Sequence, residues 1–276
     1  MSAAFLVSAR FAHPQQRPMA PRRTLRLHCA AVSMNPTNFS LVKQVVLSKT
    51  KIPEHDWDPN EDERKRLSTM SVQTVAAKLE ELQQLLQPPS VNLLMTKVPA
   101  STLARPPIRV RDQVLAVADM LGQATELDAA KVLALTRRTM GKPDEHFQER
   151  IDALATIGDL GLAQRTVISR PKVLEQTPQA IQLKISLIRQ AVQAGGSEEI
   201  RRDLERMSAS QLGYALTRGV PGVLRLKYLA EKRYNVTVTL DTVLRYSSEK
   251  WNKMHPDYDA WLEEQEAVIQ SEYLDM

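Results

Sequence analysis

From Ser71 onward, apolar residues recur at helical steps. "SVQTVAAKLEELQQLL" places Val72, Val75, Leu79, Leu82 and Leu86 three and four apart, along one stripe. The prolines of "PPS" at 88–90 end that run, because proline lacks a donor and disfavours helix in the residue before it. Ser90 is then expected to cap a second helix, "VNLLMTKV", that reaches Pro99. The stripe returns as Val110, Val114, Val117 and Leu121, as Phe147, Ile151 and Leu154, and as Ile181, Ile185, Ile188 and Val192. Gly122, Gly158 and Gly195 follow these helices at spacings of 36 and 37, and Pro99 and Pro171 stand 72 apart. Glycine is the expected residue where a left-handed backbone angle ends a helix. The spacing predicts a repeat of about 36 residues: helix, break, hydrophobic corner, second helix.

The clearest copy is "LAQRTVISRPKVLEQTPQAIQLKISLIRQAVQAGG". Pro171 ends its first helix, Val173 and Leu174 fill the corner, and Thr177 caps the second helix with Pro178 in its first position. In the 128–141 copy, "DAAKVLALTRRTMG", Arg138 or Thr139 stands where the proline belongs. A later copy carries "VPGVL" at 220–224, and Pro221 follows Pro171 by 50 residues, so that unit holds an insertion or a longer first helix. "TLDTVLRYSSEKWNKMHPDYDAWL" reads as a degenerate fifth copy. One helix pair cannot bury its own face, so stacked copies must share a core. The expected fold is all-α, an α-solenoid occupying residues 71–262.

Composition changes the picture mainly at the two ends. The first 53 residues hold eight Lys or Arg and no acid, so the formal charge of +5 becomes a net −3 once they are removed. Residues 1–34, rich in Ala, Arg and Ser and lacking an apolar h-region, read as an organelle transit peptide, plastid ahead of mitochondrion, with "HCAAV" at 28–32 as a processing site. Residues 35–70 read as a mostly disordered charged linker in which Trp57 is at most a single anchor, and 263–276 as an acidic tail. Cys29 is the only cysteine, which leaves neither a disulfide nor a cysteine-based metal site. No run of eighteen apolar residues exists, so no membrane insertion is expected.

An apolar pair, a proline a few residues later, a leucine three or four further on and then an amphipathic helix resembles the repeat of the mTERF family, the mitochondrial transcription termination factor-like proteins. "NLLMTKVPASTL" (92–103), "TVISRPKVL" (166–174) and "YALTRGVPGVL" (214–224) carry the resemblance. It implies a superhelical array with a basic concave groove for nucleic acid, acting without catalysis in organelle transcription, RNA processing or ribosome biogenesis.

Lys and Arg supply most phosphate contacts. Basic residues near the unit breaks are Lys97, Arg109, Arg137, Arg138, Arg170, Lys172, Arg218, Arg225 and Lys227, and Lys184 and Arg189 project from a second helix. Residues 163–233 hold thirteen basic and six acidic side chains, which centres the expected interface there. Tyr214 and Tyr228 fall on apolar positions and are expected in the core. No two histidines share a motif, and neither a phosphate-binding glycine loop nor a nucleophile elbow occurs, so no catalysis, metal or cofactor is expected. Two functions follow as expectations: a monomeric organellar protein binding RNA or DNA through a basic groove, or a structural component of an organellar ribosome or other large complex, binding protein.

Overall fold

Leu, Ala, Arg and Gln at helical spacing favour helix throughout, and repeated caps set its limits. The structure, a computed structural model, describes residues 35–122, 124–136, 139–194, 198–232 and 240–273. Among them every regular element is helical. The α-helices are α1 (Pro36–Thr50), α2 (Glu61–Leu67), α3 (Val72–Leu85), α4 (Pro88–Lys97), α5 (Pro99–Leu103), α6 (Pro107–Met120), α7 (Glu126–Leu135) and α8 (Asp144–Ala155). They continue as α9 (Leu160–Ser169), α10 (Pro178–Gln193), α11 (Glu198–Glu205), α12 (Ala209–Thr217), α13 (Val220–Lys232), α14 (Leu240–Arg245), α15 (Ser248–Met254) and α16 (Tyr258–Tyr273). Short 3-10 turns occupy Glu54–Asp56 and Pro171–Glu175. No described helix is long and apolar enough to cross a membrane.

The helices pack in two files. In one, α4 rests on α7, α7 on α9, α9 on α12 and α12 on α14. In the other, α3 rests on α6, α6 on α8, α8 on α10, α10 on α13 and α13 on α16. The predicted stripes lie between the files: Val75, Leu79, Leu82, Val110, Val114, Phe147, Ile151, Ile181 and Ile185 are all buried.

The α9–α10 corner forms as its residues dictate. Arg170 ends α9 outside the helical region at φ −137° and ψ 74°, the turn beginning at Pro171 buries Val173 and Leu174, and the Thr177 hydroxyl accepts the Ala180 N–H at 3.2 Å. Gly122 ends α6 at φ +73°, whereas Gly158 closes α8 without a left-handed angle. Gly195 lies outside the described residues. Helix α11 stands between α10 and α12, which accounts for the longer interval from Pro171 to Pro221.

Several expectations need correction. Pro88 and Pro89 open α4 rather than precede it, and Ser90 is buried inside the helix with Gln87 as its N-cap. A first-turn proline loses no helical hydrogen bond, so it starts a helix as readily as it stops one.

Residues 35–70 are not a linker. Helix α1 packs on α3 and α4 through Val42 and Val46, Trp57 is 3% exposed with its Nε1–H donated to the Met95 carbonyl at 2.9 Å, and Phe39 stacks on its ring. The charges that suggest a linker instead suit α2, with Glu61, Asp62 and Glu63 in the first turn and Arg64, Lys65 and Arg66 in the last, complementing the helix dipole. Glu63 also accepts the Ala100 N–H at 2.6 Å, at the start of α5.

Within the stretch expected as an acidic tail, residues 263–273 are helical. Helix α16 continues to Tyr273, Trp261 is buried with its Nε1–H on Glu231, and Lys227 reaches Gln265.

Candidate nucleic-acid interface

The interface follows from how the first-file helices end. Each leaves its last carbonyls without helical partners and carries the negative end of the helix dipole, where a Lys or Arg is favoured. The ends lie side by side. Lys97 and Val98 share a cleft with Ala134, Leu135 and Thr136; the Thr136 hydroxyl meets the Pro171 carbonyl at 3.3 Å; and Gln176 donates to the Leu216 carbonyl at 2.6 Å. The C-terminal ends of α4, α7, α9 and α12 therefore form one edge.

Lys97 is exposed at the end of α4, Arg170 caps α9, Lys172 is exposed on the following turn and Arg218 caps α12. Arg245, the last residue of α14, joins them: its guanidinium lies 5.7 Å from the Tyr214 ring centre. Tyr214 is half-buried rather than a core residue, with Arg170 at 4.9 Å and Arg218 at 4.7 Å from its ring centre. Tyr228 is fully buried, as expected.

Other candidates lie elsewhere. Arg109 is exposed at the start of α6, in a second cleft that also holds Arg105, Lys142, Asp112 and Asp144. Arg189 lies near the far end of α10 and donates to the Thr156 carbonyl past α8. Lys227 bonds Gln265 at 2.7 Å and lies 3.6 Å from Glu231, which ties α13 to α16. Arg137 and Arg138 lie outside the described residues.

Lys184 and Arg225 are corrections. Lys184 is 7% exposed, and its ammonium donates to the Gln176 Oε1 at 2.6 Å and to the Leu216 and Arg218 carbonyls at 2.7 and 2.6 Å. Burial pushes its pKa down to about 8. Arg225, also buried, donates to the Tyr246 carbonyl at 2.7 Å and to Ser248, and lies 5.0 Å from the Trp251 ring centre. Burial again lowers its pKa. Neither cation can reach a phosphate without giving up these hydrogen bonds.

These two belong to a series. Lys78 on α3 donates to the Leu103 carbonyl at 2.6 Å. Gln113 on α6 donates to the Lys142 carbonyl at 3.0 Å and accepts the Gly141 N–H at 2.6 Å. Arg150 on α8 donates to the Gln176 carbonyl at 2.9 Å. Lys78, Gln113, Arg150 and Lys184 are each the seventh residue of their helix, and Arg225 is the sixth of α13. Each of the helices α3, α6, α8, α10 and α13 thus sends one polar side chain to a backbone carbonyl further along the chain. The sequence holds the signal: each latch stands directly before a core residue, Leu79, Val114, Ile151, Ile185 or Leu226. A charge or amide at a fixed place in an otherwise buried stripe marks a structural bond rather than a solvated face.

What remains for a ligand is the edge carrying Lys97, Arg170, Lys172, Arg218 and Arg245. Its cations are exposed or partly exposed and stand at the ends of α4, α9, α12 and α14, and backbone phosphates are a ligand that such a row can bind without reading sequence. Among the described residues no cluster of three or more His, Cys, Asp and Glu side chains could hold a metal ion. Comparison with protein-family models, with curated proteins and with solved structures returns no match.

Proposed function

We propose that this chain is a non-catalytic, organellar nucleic-acid-binding protein of the mTERF type. In this reading its two files form a superhelical solenoid of repeats, and a strand of RNA or DNA lies along the edge where the first-file helices end. The observation that carries the proposal is the alignment of Lys97, Arg170, Lys172, Arg218 and Arg245 on one edge, while Lys184 and Arg225 are withdrawn into latches. Neighbouring helix axes stand roughly 8–10 Å apart, so the edge offers about one phosphate contact per unit. Affinity is then modest and strongly salt-dependent, and it serves an organelle role in transcription, RNA processing or ribosome assembly.

Fluorescence anisotropy with labelled single- and double-stranded RNA and DNA tests this. With about four phosphates neutralised, log K is expected to fall with log salt at a slope of roughly −3 on single strands. Combining Lys97→Ala, Arg170→Ala and Arg218→Ala is expected to flatten that slope by about 2. No binding at low salt, or a slope unchanged in the triple variant, overturns the proposal.

A second reading, a structural component of an organellar ribosome or other complex, is favoured by the exposed Asp259, Glu263 and Glu264 of α16, which suit a basic protein surface. It predicts co-sedimentation that survives nuclease.

A further inference from the structure

Within the proposed edge, one point is built more tightly than the rest. Gly213 on α12 lies against the stem of Arg170: a Cβ there would stand 2.7 Å from both the Cβ and the Cγ of Arg170. The missing side chain lets α9 and α12 close up and lays the Arg170 guanidinium over Tyr214. Arg218 approaches the same ring, donating through Nη2 to the Tyr214 hydroxyl. Its backbone carbonyl is held by Lys184 at 2.6 Å. Two guanidinium groups are therefore fixed around one phenol.

Like charges held this close call for a counter-charge. Among the described residues no carboxylate lies within ion-pair distance of Arg170 or Arg218, and the buried Nε of Arg218 has no hydrogen-bond partner. The ring is engaged by guanidinium groups, so Tyr214 serves to orient them, and its O–H remains a donor beside the arginine forks. Planar forks with a neighbouring hydroxyl match the oxygens of a tetrahedral oxyanion.

We infer that Arg170, Tyr214 and Arg218 form a seat for one phosphate group, supplied by an internucleotide or terminal phosphate of the bound strand. That source rests on the nucleic-acid reading, whereas the affinity of the seat for phosphate does not.

The test is titration of the full chain with inorganic phosphate at constant ionic strength, following the Arg170 and Arg218 side-chain N–H signals by NMR. A labelled oligonucleotide is then competed against phosphate. Saturable shifts of both signals, absent with chloride, are expected. Arg170→Lys keeps the charge but loses the fork, and it should weaken phosphate binding about tenfold with an unchanged melting temperature. Arg218→Lys is the second variant should the first unfold, and Lys253→Ala, an exposed lysine of α15 outside the edge, should bind phosphate as the parent does. Oligonucleotide binding without phosphate shifts, or unchanged phosphate affinity in the Lys variants, overturns the seat and leaves the nucleic-acid reading standing. Phosphate shifts that no oligonucleotide displaces uphold the seat and overturn the nucleic-acid source of its ligand.

Discussion

Replacing Lys184 with Met separates a latch from a ligand contact, because the stem volume is nearly kept while the ammonium is lost. Two acceptors then lose their donor, the Arg218 carbonyl and the Gln176 Oε1, while the Leu216 carbonyl keeps the Gln176 amide N–H. An unsatisfied buried acceptor costs about 1–3 kcal/mol, so the gross loss for the two is roughly 2–6 kcal/mol. Against it stands the desolvation of the ammonium, which lowers its pKa from 10.5 to about 8. At about 1.36 kcal/mol per pKa unit, that amounts to roughly 3 kcal/mol recovered by the variant at neutral pH. Lys184→Met is therefore expected to range from nearly as stable as wild type to less stable by about 3 kcal/mol at pH 7.

The pH dependence sharpens the test. The folded pKa lies below the unfolded one, so between about pH 8 and 10.5 the unfolded chain holds the proton and the folded chain does not. Wild-type stability should rise across that window relative to the variant, which has nothing to titrate at this site. Urea denaturation followed by circular dichroism at pH 7, 8.5 and 10 measures the difference, in which all other titrating groups cancel. A variant within about 0.5 kcal/mol of wild type at pH 7, together with a difference that stays flat to pH 10, would refute the latch.

Further outcomes are expected elsewhere. His255 packs on Trp251 at 4.2 Å, facing Arg225 and Asp257, and burial lowers its pKa below 6.5. Unfolded chains therefore take up its proton first as acid is added, and stability should fall below about pH 6.5. Melts by tryptophan fluorescence from pH 7.5 to 5 should show that loss, and His255→Gln should lessen it. Gly213→Ala should destabilise by about 1–3 kcal/mol in urea, because its Cβ meets the Arg170 stem. Trp57→Ala should lower stability by about 3–5 kcal/mol, against less than about 0.5 kcal/mol for a residue of a solvated linker.

The stripes of residues 71–262, the Thr177–Pro178 cap and the Val173–Leu174 corner were legible because helix periodicity and capping are local. The same locality explains the misreadings. In "NFSLVKQVVLSKT", Phe39, Val42 and Val46 already stand at helical steps, and Asn35 and Asn60 cap α1 and α2, yet dense charge beyond them suggested a linker. Arg245 ends only the first helix of the stretch read as a degenerate copy, and its approach to Tyr214 alone places it on the edge.

By itself, then, the chain specified helices, their breaks and a row of cations near those breaks, since each depends on residues within a few positions of one another. Tertiary structure alone decided which cations face solvent. Arg170 and Lys184 are alike as charges in the sequence, but α12 and its C-terminal end offer a tyrosine ring to the first and carbonyls to the second. The desolvation of a buried charge depends on neighbours more than thirty residues away, and no local pattern carries that information.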